Sequence, residues 1–157
     1  KWVAPGDLHV TLRFLGDVPA EDLDALAAAV GEAAAGREPF TIAPAAVKAV
    51  PSARSARMVW GVFADPDGAA SALASAVSSA AAPWCRHDDP KPFRPHVTLV
   101  RARGRRPVPG DALAAANAQV KATAQPMSVA HVTLFSSTLT RQGAVYEEVA
   151  RMPLGRA

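Results

Sequence analysis

The tetrapeptide His-Val-Thr-Leu occurs three times in this chain, at residues 9–12, 96–99 and 131–134. Successive side chains of a β-strand point to opposite faces, so a His and a Thr two residues apart share a face. Each copy can therefore present an imidazole beside a hydroxyl. If two such strands lie side by side, two imidazoles and two hydroxyls surround one pocket.

This combination of groups suits the hydrolysis of a phosphodiester. A neutral histidine can take a proton from the nucleophile, a protonated one can give a proton to the leaving oxygen, and threonine hydroxyls can donate to the phosphoryl oxygens. Histidine fits both tasks because its ordinary pKa of about 6.5 allows both forms near neutral pH. The chemistry needs no metal ion, so we expect no cofactor.

Two of the three copies lie in similar contexts. PGDL precedes the first copy and RFLG follows it, while FRP precedes the second and VR follows it. A single His-x-Thr pattern arises by chance on a polar strand face, but two copies in matching contexts are hard to explain in that way. We predict that His9 and His96 are catalytic and that Thr11 and Thr98 bind phosphate.

The segments LHVTLRFLG (8–16) and FRPHVTLVR (93–101) resemble the paired signature motifs of the 2H phosphoesterase superfamily. The interval between the two histidines and the closing segment LFSSTLTRQGAVYEEV (134–149) are similar to those of the bacterial RNA 2′,3′-cyclic phosphodiesterases, also called 2′-5′ RNA ligases. The resemblance covers essentially the whole chain. It implies a two-lobed, pseudo-symmetric α+β fold of antiparallel sheets flanked by helices, with both motifs facing a central cleft.

The resemblance also implies an activity, the metal-independent hydrolysis of a 2′,3′-cyclic phosphate to a 2′-phosphomonoester, with reversible 2′-5′ RNA ligation beside it. It assigns protonation of the departing 3′-oxygen to His9 and activation of water to His96, whereas the residues alone leave these roles interchangeable. The expected partners are RNA ends or cyclic nucleotides. The alternatives are a phosphodiesterase for a small cyclic nucleotide, such as ADP-ribose 1″,2″-cyclic phosphate, and a non-catalytic RNA-binding module.

Arg101 is a further candidate for phosphate binding, because the motif it resembles often continues with a basic residue at this position. Strict alternation along a strand places residue 101 on the face opposite His96. Arg101 can therefore contribute only if the strand ends or twists before it. Arg103, Arg105 and Arg106 extend the positive charge, and this stretch either guides an RNA backbone or is simply solvated.

Three other features favour structural roles. The family strand that the third copy matches carries no catalytic histidine, so His131 and Thr133 are predicted to lie on a polar strand face. The alternative is that they tune the phosphate pocket. The run His87-Asp88-Asp89 lacks a partner cluster at metal-ligand spacing, which favours a polar loop over a metal site. Trp60 lies in an apolar segment and is predicted to be a core residue.

Hydrophobic periodicity and turn residues predict the elements that hold these motifs. The predicted strands are residues 8–15, 39–43, 46–50, 58–64, 96–101 and a final antiparallel pair at 127–136 and 144–151. The predicted helices are residues 20–35, 69–82 and 111–120, with a Pro-rich loop over 83–95 and a basic loop after 101. Several strand connections are short enough for hairpins, which favours an α+β fold with antiparallel sheets over a doubly wound one.

Length and composition are typical of one globular domain. The 157 residues are 50% hydrophobic and 20% charged, with a net charge of +3, which is compatible with a phosphate-bearing ligand. No apolar run is long enough for a membrane-spanning helix, and a single cysteine predicts a reducing, cytoplasmic location. We expect a monomer that contacts no membrane.

The chain opens with Lys rather than Met. The family resemblance implies a strand and a helix before the first motif. We therefore expect residues 1–157 to form a single 2H phosphoesterase domain that lacks its N-terminal strand and helix.

Overall fold

A computed structural model describes residues 1–85, 92–141 and 143–155. Its elements are α1 (Leu23–Ala35), β1 (Phe40–Val50), β2 (Ala56–Ala64), α2 (Ala69–Ala80), β3 (His96–Arg106), α3 (Gly110–Thr123), β4 (Met127–Val129), β5 (His131–Thr140) and β6 (Gly143–Pro153). One sheet has the order β3-β2-β1-β4, and β5 and β6 form a second. The β1–β2, β2–β3 and β5–β6 pairs are antiparallel, which confirms the expected α+β class.

The chain divides into two compact units, and the first contains Lys1–Thr11, Thr41–Ala70 and Phe93–Met127. Helix α3 of this unit has no buried residue. Its Asn117 binds the backbone of β1 instead. The N–H of Val47 donates to Asn117 Oδ1 (2.9 Å), and Asn117 Nδ2 donates to the Val47 carbonyl (3.0 Å). These two hydrogen bonds therefore tie α3 to the sheet.

The second unit consists of the described residues of Leu12–Phe40, Ser71–Pro92 and Ser128–Ala157. Its core is apolar and comes mainly from α1, α2 and the β5–β6 sheet. The members of this cluster are Leu26, Val30, Ala34, Leu73, Val77, Ala81, Val132, Met152 and Leu154. A Cβ atom on Gly31 would lie 3.3 Å from Met152 Cγ, so the missing side chain lets α1 approach β6 closely.

The three predicted helices are confirmed with small shifts at their ends. The first begins as a 3₁₀ turn at Ala20–Asp22 before α1 continues it, and α3 extends three residues beyond the predicted end. The predicted final strand pair is confirmed as β5 and β6, while residues 127–129 form the separate strand β4. No helix in the described ranges is long and apolar enough to cross a membrane.

Three strand predictions are wrong in detail. Only Val10 of the predicted strand 8–15 makes a β-bridge. The predicted strands 39–43 and 46–50 are one strand, because a register shift beside Pro44 accommodates the proline, as bulges do. The predicted basic loop after residue 101 is instead the continuation of β3, whose last residue, Arg106, pairs with Ala56.

Candidate active site

The His-Val-Thr segments of the first and second copies lie side by side in the first unit. Val10, the second residue of its copy, forms an antiparallel bridge with Val97, the second residue of the other copy. Because the two segments run in opposite directions, the histidine of each copy lies opposite the threonine of the other. Side chains opposite each other in such a pair have Cβ atoms about 5 Å apart.

The polar side chains of both copies share one face of this pairing, which we call the front face. The two valines point to the back face, where Gly61 leaves room: a Cβ on Gly61 would lie 3.2 Å from Val97 Cγ2. Residues that alternate with the valines point forward. The front face thus holds four of the predicted site residues, all half-buried: His9, Thr11, His96 and Thr98.

The same kind of backbone contact orients both histidines. His9 Nδ1 lies 2.7 Å from the carbonyl oxygen of Asp7, and His96 Nδ1 lies 2.7 Å from that of Arg94. A carbonyl oxygen only accepts, so Nδ1 carries a proton and donates in each ring. The neutral ring then has its proton-accepting lone pair on Nε2, and the same atom becomes a donor when the ring is protonated.

The residues before each histidine place the accepting carbonyl. Pro5 begins a 3₁₀ turn that ends at Asp7. Before the second histidine, Pro95 is buried, and its carbonyl accepts a hydrogen bond from the N–H of Phe63 (3.0 Å). Proline favours an extended backbone in the residue before it, so Arg94 is held in line with β3. Local sequence therefore fixes which carbonyl each imidazole meets.

A β-bulge decides which face Arg101 occupies. Between Val59 and Trp60 of β2 the register shifts by one residue, which leaves Leu99 as the extra residue in β3. Arg101 consequently pairs with Met58, which shares its face with Trp60. Arg101 Nη1 also lies 4.0 Å from Met58 Sδ. The bulge thus brings Arg101 to the front face, which strict alternation along β3 would not.

Trp60 is the residue that sequence reasoning assigned wrongly. It pairs with Thr98 and is half-buried on the front face rather than in a core. Its indole stacks on the imidazole of His96, with ring centroids 3.8 Å apart and planes at 28°. The sequence predicts that Trp60 lies in a strand, but it does not show which strand lies beside it. That pairing decides which side chain the indole contacts.

The third copy of the tetrapeptide lies at the start of β5, in the second unit. His131 pairs with Pro153 and Thr133 pairs with Arg151, so neither lies opposite a second His-x-Thr. Their strand neighbour Val132 points into the core. The His131 side chain is exposed. Within the part of the chain that the structure describes, its ring makes no hydrogen bond.

The candidate metal ligands His87, Asp88 and Asp89 lie outside the described residues. Across residues 1–85, 92–141 and 143–155, no group of three or more His, Cys, Asp or Glu side chains is close enough to hold a metal ion. The arginines that continue β3 beyond residue 101 are exposed. One of them, Arg105, donates through Nη1 to Ser55 Oγ over 3.3 Å.

Comparison with known proteins finds similarity over nearly the whole chain. Residues 1–147 match the 2′-5′ RNA ligase superfamily. The RNA 2′,3′-cyclic phosphodiesterase of Geobacillus stearothermophilus is 30% identical over 98% of this chain and 47% of its own length. That of Archaeoglobus fulgidus is 30% identical over 95% of this chain and 81% of its own length. The chain thus spans about half of the first relative and about four fifths of the second.

A solved structure has a similar fold. The crystal structure of E. coli LigT complexed with 3′-AMP superimposes with a TM-score of 0.73. The two sequences are 27% identical, and the match covers 99% of this chain and 82% of the other.

Proposed function

Because the chain belongs to the 2′-5′ RNA ligase superfamily, as its two motifs indicated, we propose that it hydrolyses a 2′,3′-cyclic phosphate to a 2′-phosphomonoester. The substrate is the cyclic end of an RNA or a cyclic nucleotide. Two relatives that match most of this chain are named RNA 2′,3′-cyclic phosphodiesterase. The observation that carries the proposal is the pair of imidazoles on one face, each bonded through Nδ1 to a backbone carbonyl.

The reaction is one in-line displacement at phosphorus. Water attacks as one histidine takes its proton on Nε2, and a new phosphorus–oxygen bond forms. The bond from phosphorus to the 3′-oxygen breaks, and the other histidine gives this oxygen a proton. By family resemblance His9 is the acid and His96 the base. After the reaction the base carries an extra proton and the acid has lost one. Each ring returns to its starting state by exchanging one proton with solvent.

The remaining front-face residues bind the phosphoryl oxygens. The hydroxyls of Thr11 and Thr98 donate to the two nonbridging oxygens, since each threonine lies opposite the histidine of the other copy. The guanidinium of Arg101 adds positive charge on the same face and favours the charge that develops during attack. If the 5′-hydroxyl of an RNA end takes the place of water, the same displacement forms a 2′-5′ bond as the bond to the 3′-oxygen breaks. In the reverse reaction the 3′-hydroxyl attacks, the 5′-oxygen leaves, and the two histidines exchange roles.

The exposed cations of β3 favour a polyanionic substrate over a mononucleotide. Arg103, Arg105 and Arg106 continue the strand that begins with His96. A polyanion that contacts these side chains releases counterions, so its binding weakens steeply with salt. The value of kcat/KM for a cyclic-ended oligonucleotide should therefore fall more steeply with salt than that for a cyclic mononucleotide. Equal salt dependence would favour a small cyclic nucleotide as the substrate.

The central test is hydrolysis of a 2′,3′-cyclic nucleotide in the presence of EDTA. We expect the wild type to release the 2′-phosphomonoester, and the substitutions His9→Ala and His96→Ala each to abolish turnover while circular dichroism shows folded protein. Loss of activity on chelation, or activity that survives both substitutions, would refute the mechanism. Binding of RNA without any turnover would identify a non-catalytic binding module instead.

The pH dependence gives a second test of the same mechanism. One histidine must be neutral and the other protonated, so kcat/KM should follow a bell-shaped pH profile. In the low residual turnover of His9→Asn or His96→Asn, the limb that belongs to the replaced histidine should be missing. A profile that stays flat from about pH 5 to about pH 9 would contradict a two-histidine mechanism.

A further inference from the structure

The contact between Trp60 and His96 lies between neighbouring strands of one unit. Val62 is the residue of β2 directly opposite His96, and Trp60 is two residues before it on the same face. Diagonal neighbours of this kind are within reach of large aromatic side chains. The indole covers one side of the imidazole, at 3.8 Å between ring centroids. The stack therefore restricts the plane of a ring that the proposed reaction uses.

The indole of Trp60 carries a buried N–H group, at Nε1, that makes no hydrogen bond in the described structure. Buried tryptophans usually place this N–H on an acceptor, and leaving it unpaired destabilises the folded chain. A leucine would fill much of the same space without this cost, but it would present no flat ring to the imidazole. The feature that sets the indole apart from an aliphatic side chain here is the flat surface that it places against the imidazole of His96.

We propose that Trp60 is a positioning residue for His96, an inference that rests on the proposed function and assigns Trp60 a role in it. The hydrogen bond from Nδ1 to the Arg94 carbonyl fixes one edge of the imidazole but still lets the ring swing about that bond. Stacking on the indole removes this remaining motion. Together the two contacts hold Nε2 of His96 in one direction.

Positioning of this kind acts on the reaction step rather than on binding. Proton transfer requires Nε2 to lie within hydrogen-bond reach of the reacting oxygen, and small misplacements of a catalytic group are costly. The phosphoryl oxygens are bound by other side chains, the two threonines and Arg101. Loss of the indole should therefore lower kcat and leave KM nearly unchanged.

Two substitutions of similar size separate positioning from packing. Trp60→Phe keeps a flat ring against His96, and Trp60→Leu removes it. We expect Trp60→Leu to lower kcat by about 10- to 100-fold with little change in KM, and Trp60→Phe to stay within about threefold of the wild type. Trp84→Leu is the matched control, because Trp84 packs against the core of the second unit. It should lower the unfolding temperature and leave kcat unchanged.

A readout independent of turnover follows the histidine itself. NMR of histidine-labelled protein, with the His96 signals assigned through His96→Ala, reports the ring current of the stacked indole. We expect the His96 ring protons to lie upfield in the wild type, to move downfield in Trp60→Leu and to keep part of the shift in Trp60→Phe. Unshifted His96 signals in the wild type would overturn the stacking on which the proposal depends.

The outcomes separate this proposal from the proposed function. Equal losses of kcat in Trp60→Phe and Trp60→Leu, or no loss in either, would overturn positioning while leaving the two-histidine mechanism intact. A lower kcat together with a clearly higher KM in Trp60→Leu would point to a role in binding and would also overturn the positioning proposal. Absence of hydrolysis by the wild type would refute the proposed function, and undiminished turnover in His96→Ala would refute the two-histidine mechanism, whatever the NMR spectra show.

Discussion

The same tetrapeptide occupies two different environments in this chain. In the first unit, two copies meet at the bridge between Val10 and Val97, and each imidazole bonds to a backbone carbonyl two residues upstream. In the second unit, the third copy begins β5 opposite Pro153, and its exposed histidine makes no described hydrogen bond. Identical residues on identical strand faces therefore do not make equivalent sites.

Two features around each copy, the residues that precede it and the strand beside it, account for the difference. The residues before a copy decide whether a carbonyl can accept from Nδ1, as the Pro5–Asp7 turn and the Arg94–Pro95 step do. The strand beside a copy decides which side chains its histidine faces. The first two copies face each other, whereas the third faces Arg151 and Pro153. The site is thus a property of a strand pairing, and the predictions below test that difference between the copies.

The largest effect is expected from removing Nε2 while keeping the Nδ1 contact. In His9→Asn or His96→Asn, the side-chain amide nitrogen takes the place of Nδ1 and can still donate to the upstream carbonyl. No titrating atom remains at the position of Nε2. We expect kcat on a 2′,3′-cyclic nucleotide to fall by about 10²- to 10⁴-fold in each variant, with the unfolding temperature nearly unchanged.

The matched control is His131→Asn, which changes the same residue type in the third copy and should keep wild-type kcat. A loss in all three variants would mean that the three copies are equivalent and that the comparison is mistaken. Full activity in either of the first two variants would remove that histidine from the mechanism.

A smaller effect is expected from the hydroxyls. Thr11→Val and Thr98→Val keep the shape and the strand preference of the side chain and remove one donor each. A hydrogen bond to a charged phosphoryl oxygen stabilises the transition state. Each change should therefore lower kcat/KM by about 10- to 100-fold. Thr133→Val, in the third copy, should have no effect. Wild-type activity in the Thr11 and Thr98 variants would show that the phosphate is bound elsewhere.

Sequence alternation correctly places His9 with Thr11 and His96 with Thr98, because the geometry of an extended backbone decides it locally. What it misses depends on pairing between distant segments. The bulge at Leu99 appears only in the register against β2, so alternation alone puts Arg101 on the wrong face.

Trp60 gives a second example, because its stacking on His96 follows from the same register. The predicted helices needed no such long-range information, since capping and periodicity along one segment decide them. The strand predictions failed where the outcome depended on a neighbouring strand, as with the basic segment that continues β3.

The effect of Arg101 should be smaller than that of either threonine, because its side chain is exposed and solvent screens its charge. We expect Arg101→Met to raise KM by about tenfold and to change kcat little. Arg103→Met is the control, since it removes the same charge from the same strand outside the two motifs. If both variants behave alike, general positive charge explains the effect, and the position of Arg101 next to the second motif does not matter.

The smallest effect is expected from the third copy itself, in His131→Ala. The side chain is exposed, its ring makes no described hydrogen bond, and its partner across the sheet is a proline that offers no proton-transfer group. Exposed substitutions away from such contacts change free energies little, so kcat/KM should stay within about twofold of the wild type. The measurement is steady-state hydrolysis of the same cyclic nucleotide, beside His96→Asn. A loss of about a hundredfold or more, of the size that removal of a general acid or base produces, would contradict this expectation. It would show that the tetrapeptide confers a catalytic role without a facing copy, and the strand pairing at Val10 and Val97 would then not be what makes the site.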